Sequence, residues 1–276
     1  MKARSVFAIT KKDLLEVRQN QAAWMPMLIV PLIFVIIMPL AFILIPQQLD
    51  LTATSLTQEF DLEFFLEKMP PSIAQHVEWR TELQSIIVIM LGYIFAPFFL
   101  IMPLMFSTII GAESFAGEKE RKTLEALLYT PASDAELFTG KVLAAFLPSL
   151  IVTWGCFLVY ILVINIAGYP VFGAIWFPLP NWWALIFWVA PALTVLGISV
   201  SVLISAKVQT FMGAYQLSGS LVILVVALIG AQISGVLYLS TLVSLILGLV
   251  IWLVDALLMR LSVRSFNRRT LLMQPS

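Results

Sequence analysis

Apolar residues gather along this chain in long runs, and the charged residues fall between the runs rather than inside them. A helix needs about 20 predominantly apolar residues to cross a hydrocarbon core, because every backbone hydrogen bond must close within the segment. Six stretches meet that test, at 24–45, 86–110, 142–167, 182–205, 211–231 and 236–258. The pattern predicts an all-α integral membrane protein, with residues 1–276 forming a single transmembrane domain. Its longer connections are 46–85 and 111–141, and a tail follows at 259–276. The first run begins only near Trp24, and no small-x-small cleavage pattern follows it, so it is expected to stay as the first span.

Ahead of that span, Phe7, Leu14, Val17 and Gln21 recur at helical spacing, with Lys11, Lys12, Asp13 and Arg18 mostly on other faces. Residues 1–23 are therefore expected to form an amphipathic helix lying on the inner leaflet, the alternative being an ordinary lead-in helix. Trp24, Tyr169, Trp176, Trp182 and Trp183 fall near span ends, where an aromatic body meets water. Pro97 and Pro103 both lie in the second span, which predicts a bend there.

Charge placement sets the orientation, since Lys and Arg near span ends are retained in the cytoplasm. Counting from the first span outward, 14 of the 16 cations lie on one side: before the first span, in 111–141, at Lys207, and after the last span. Lys68 and Arg80 are left in loop 46–85, which is otherwise acidic. Both termini and loop 111–141 are thus expected in the cytoplasm, with 46–85 outside the cytoplasmic (inner) membrane. Only 12% of the residues are charged and 61% are apolar, so lipid is the fitting solvent.

The same inventory removes several chemistries. One cysteine, Cys156, and one histidine, His76, leave no intrachain disulfide, no Cys cage and no multi-His metal site. No Walker loop, dinucleotide fingerprint or nucleophile elbow occurs, so no catalytic residue and no metal ligand is assigned. Ionisable groups at mid-membrane mark ion-driven carriers. None is expected at mid-depth here: Asp255 comes closest, and its place near the end of the last span predicts a structural pair with a residue such as Arg260.

Loop 111–141 has the form of a docking element. Thr123 can cap a short helix in which Leu124, Leu127 and Leu128 make one apolar stripe, and Pro131 lies where that helix should stop. Ser133 and Glu136 then form a capping-box pair that starts the next helix. The alternative is a helix that only steadies the bundle. Glu113, Glu118, Arg121, Thr123, Leu124, Glu125, Leu127, Leu128 and Pro131 together resemble the pattern of ABC-2 type permeases, the membrane subunits of ATP-binding-cassette exporters. That family often has Gly before the Thr, where this chain has Lys122.

The resemblance implies that this loop is a coupling helix docking on a cytoplasmic ATPase subunit. Leu124, Leu127 and Leu128 would be its anchors, with Glu118, Arg121 and Glu125 as rim charges. It also implies a second permease half, identical or different, and ATP with Mg bound by the partner rather than by this chain. No nucleic acid is expected as a partner. In the fifth span Gln209, Gly213, Gln216 and Ser220 share a helical face, and in the fourth Gly197, Ser201 and Ser205 recur every four residues. Such spacing reads either as close helix packing or, for Gln216 and Ser220, as part of a translocation path. An ion-coupled carrier and a non-transporting membrane scaffold stay open as rival functions.

Overall fold

A computed structural model of the chain describes residues 3–48, 67, 69, 71–74, 81–123 and 132–265. Every regular element among them is helical. Helix α1 covers Ala3–Gln19. Six further helices are long and apolar enough to cross a membrane: α2 (Ala23–Pro46), α3 (Glu82–Glu120), α4 (Asp134–Phe172), α5 (Pro180–Ser205), α6 (Phe211–Ile233) and α7 (Thr241–Val263). The protein is therefore an all-α, multi-pass membrane protein. One short turn of helix, Pro71–Ala74, lies between α2 and α3.

The helix ends follow from identifiable groups. Ser133 accepts from the Glu136 N–H at 3.2 Å while the Glu136 carboxylate accepts from the Ser133 N–H at 3.1 Å, so α4 starts on a capping box. It stops at Gly173, whose φ of 66° closes the last turn onto Tyr169. The sixth span starts later than expected, at Thr241 rather than at Val236. Gly235 turns the chain at a φ of 71°, and Ser240 caps the new helix by accepting from the Val243 N–H at 3.3 Å.

Helices α3 and α5 are the centre of the bundle: 78% of the apolar stretch of each is buried, against 17% in α2 and α7. With little hydrophobic drive between helices in lipid, close approach of small residues is what holds such a pair. Gly197 of α5 sits against Ser107 of α3, so close that a Cβ there would lie 2.1 Å from the serine hydroxyl. One turn further on, Ser201 donates to the Thr108 carbonyl at 3.4 Å.

In the span where two prolines predict a bend, α3 carries a π-helical stretch over Val88–Ile94. Pro97 lacks the N–H that an α-helix would offer to the Tyr93 carbonyl. In hydrocarbon a carbonyl left open costs several kcal/mol; Gln232 of α6 closes this one, and α4 and α5 bond the two carbonyls before it. Tyr160 of α4 donates to Leu91 O at 2.8 Å, Trp182 of α5 to Gly92 O at 2.7 Å, and Gln232 of α6 to Tyr93 O at 2.5 Å. Trp182 and Tyr160 stack with ring centroids 5.2 Å apart, among Phe99, Phe157 and Phe177.

Helix α1 packs on the first third of α4. Thr10 donates to the Gly140 carbonyl at 3.0 Å, and a Cβ at Gly140 would fall 2.9 Å from Ile9, so only glycine allows this approach. The face that packs is Val6, Ile9, Thr10, Asp13 and Val17. Of the expected apolar face, Val17 packs with this set, while Phe7 and Leu14 are exposed, 70% and 36%. A polar pair, Thr10 and Asp13, on the packed side broke the pattern that hydrophobicity alone would show.

Candidate functional site

The C-terminal end of α3, the N-terminal end of α4 and α1 meet in a network of charges. Lys141 of α4 and Glu118 of α3 are both fully buried and pair at 2.7 Å; Lys141 also lies 3.4 Å from the buried Asp13 of α1. Its ammonium donates to the Ser114 carbonyl at 2.5 Å and lies 5.4 Å from the Phe115 ring centre. Lys12 adds a second cation, bonded to Glu118 and within 3.0 Å of Glu16 and 3.6 Å of Asp13.

Asp13, Glu16 and Glu118 bring carboxylate oxygens within 4.8 Å of one another, a spacing that could suit a metal ion. The Lys12 ammonium contacts all three and supplies the positive charge itself. Burial opposes charge on Lys12, yet Glu118, Glu16 and Asp13 outweigh it and hold the ammonium above the ordinary lysine range. Burial pushes the Asp13 carboxyl upward, against the pull of Lys141 and Lys12.

Four consecutive residues, the last three of α3 and Arg121 just past it, reach four neighbouring helices between them. Glu118 binds α1 and α4, as above. Lys119 donates to the carbonyls of Ser205 and Ala206 at 2.6 and 3.4 Å, where the end of α5 leaves carbonyls open. Glu120 accepts from the Phe211 N–H at 2.7 Å and so caps the start of α6, beside Thr210, which accepts from Gly213 at 3.2 Å. Arg121 bonds Glu113 at 2.6 Å and Glu16 at 3.2 Å, and Asn20, between α1 and α2, donates to Glu113 at 2.8 Å. Each residue of a helix is turned about 100° from the last, so a run of four points in every direction around α3.

Beyond Arg121 the helix ends in a left-handed turn. Lys122 has φ 57°, its N–H bonds Lys119 O at 3.0 Å, and the Thr123 N–H bonds Glu118 O at 3.0 Å. This is the paired closure that favours glycine at the left-handed position, which supplies the physical reason for a glycine before the threonine. A side chain there costs about 1 kcal/mol. Lys122→Gly should therefore raise stability by about 0.5–1 kcal/mol, read as a higher thermal midpoint of the detergent-solubilised protein. A fall in that midpoint would show that the lysine side chain contributes contacts of its own.

Of the residues read from the sequence, the structure joins Glu113, Glu118 and Arg121 in one network and places Thr123 at its edge. Glu118 is not the rim charge expected of it: its carboxylate is turned inward and fully buried, as is that of Glu113 at 1% exposure. Leu124, Glu125, Leu127, Leu128 and Pro131 lie outside the described residues. Lys12, Asp13 and Lys141, the partners that complete the site, were missed. The available signal was a lone cation, Lys141, one residue before an apolar run, which in lipid demands a counter-charge.

Gln216 and Ser220 lie on the exposed side of α6 rather than inside the bundle. Asp255 also departs from expectation. It is 1% exposed, α7 continues for two turns past it, and Arg260 is exposed and makes no pair with it. Neither Asp255 oxygen has a hydrogen-bond partner among the described residues, and α5, which packs on α7, carries no ionisable residue.

Among known proteins, no curated sequence matches this chain. A sequence model of the family described as "ABC-2 family transporter protein" does match, over residues 7–274, which is nearly the full length. Six apolar helices and a match that starts within α1 and runs past α7 agree in identifying a membrane transport component. The chain belongs to the ABC-2 transporter family and is a permease component of an ABC transporter.

Proposed function

We propose that this permease is one half of an exporter driven by a separate ATPase subunit, with the α1 end of the bundle and both termini in the cytoplasm of a cell whose inner membrane it spans. The observation that carries this reading is the run Glu118–Arg121. At the foot of the 124–131 loop, it bonds α1, α4, α5 and α6 as well as its own helix. A push on that loop cannot be absorbed by one neighbour. Leu124, Leu127 and Leu128 anchor the ATPase, with Arg121, Thr123, Glu125 and Pro131 around them, while ATP and Mg bind the partner.

A second permease half completes the assembly. An amide side chain facing lipid is costly, and Gln216 is on the exposed side of an apolar helix. A facing half would cover Gln216 and Ser220, and any path they line runs between the two halves.

Two measurements test this. Affinity purification of the native complex should bring down a Walker-containing ATPase in equal number to the permease; its absence would overturn the reading. In that complex a spin label on Met212, exposed on the second residue of α6, should report a changed distance when ATP and vanadate trap the ATPase. Glu120→Gln weakens the α6 cap, and the change should shrink severalfold while the ATPase stays bound. An unaltered response would show that α6 is not driven through Glu120. The ion-coupled alternative is favoured by Asp255 alone: it requires substrate movement that follows an ion gradient without ATP and stops in Asp255→Asn.

A further inference from the structure

Between α1 and α4 lies an apolar groove of about 840 Å³. One wall is Phe7, Thr10 and Leu14; the other is Leu143, Leu147 and Ile151 of α4. Leu147 and Ile151 are 46% and 65% exposed, on a helix long and apolar enough to span a bilayer. The groove therefore opens where α4 meets hydrocarbon, and from Gly140, where α1 crosses, to Ile151 it follows α4 for roughly 16 Å at the rise of an α-helix.

Its rim is charged on one side only. Arg4, Lys11 and Arg18 are exposed and alternate with Phe7 and Leu14 along a single stripe of α1, at steps of three and four residues. The acidic residues of the helix, Asp13 and Glu16, are turned the other way, into the network with Lys12, Lys141 and Arg121. One edge of an acyl-sized apolar trough thus carries three cations with no acid among them.

We propose that this groove is a binding site for an anionic phospholipid, whose acyl chain lies along Leu143, Leu147 and Ile151 and whose phosphate meets Lys11, while Arg4 and Arg18, about 10 Å to either side along α1, add their attraction at longer range. The lipid completes the seat of α1, which is also the helix that supplies Lys12, Asp13 and Glu16 to the charge network. Binding of the headgroup and order in that network are therefore linked through one short helix.

Each basic residue near an anionic surface is worth roughly fivefold in affinity. The full-length chain, released from nanodiscs of equal phosphatidylglycerol and phosphatidylcholine, should retain phosphatidylglycerol in native mass spectra. The triple variant Arg4→Gln, Lys11→Gln, Arg18→Gln should lose that preference by on the order of 100-fold, and the exposed positions of all three leave the fold intact. Leu147→Trp, which fills the trough from an exposed position, should lower retention of both lipids. A photoreactive residue at Leu147 should form adducts with phosphatidylglycerol. Unchanged preference in the triple variant would overturn the proposal, and so would adducts at Leu147 with a second copy of the chain rather than with lipid.

Discussion

Lys141→Met should destabilise the protein by about 3–5 kcal/mol, the usual cost of leaving a buried charge without its partner. The reason is the count of charges in the sealed part of the network. Lys141 and Lys12 face Asp13 and Glu118, two cations against two carboxylates, and Lys141, Asp13 and Glu118 have no exposed side-chain surface. Methionine keeps the volume and removes one cation, so both buried carboxylates would depend on Lys12, which Glu16 also holds at 3.0 Å. The double variant Lys141→Met with Glu118→Gln restores balance, one against one, and should recover at least about 2 kcal/mol of the loss. Thermal unfolding of the four proteins in detergent measures the cycle. Equal midpoints for the single variant and the parent would refute the assignment of Lys141 as a required counter-charge.

Replacing Leu127 and Leu128 together by Asp should release the ATPase without affecting membrane insertion. An apolar anchor seated in a pocket typically contributes 2 kcal/mol or more, and a carboxylate in the same pocket adds a desolvation cost. Two such changes lower the affinity by at least about a thousandfold. Insertion is set by the apolar spans, none of which includes these positions. Co-purification of the ATPase in undiminished proportion would remove the leucine stripe as the docking surface. The Lys141 variant separates the two roles, since it should weaken the fold while leaving the stripe itself intact.

The number and nature of the spans were legible because lipid imposes one rule on every backbone group, and long apolar runs are its direct imprint. Where a different rule applied, the pattern misled. At Asp13 a charged residue lies on the packed face of α1 because Lys141 waits on α4, and no local period encodes a partner so distant in sequence. Glu118 looked like a surface charge for the same reason. The start of α7 was displaced because Val236 and Leu237 are apolar without being helical, their place being set by Gly235 and by the cap at Ser240. For Asp255, the expectation of a pair rested on its distance from the helix end, and α7 extends further than the apolar run does.

The π-helical middle of α3 has a mechanical side. Three carbonyls there are held by side chains from three separate helices, and no water is at hand in hydrocarbon to take over a bond that is released. Any shift of that stretch must bring α4, α5 and α6 along or give up bonds to them, so α3 is tied to three neighbours at one level.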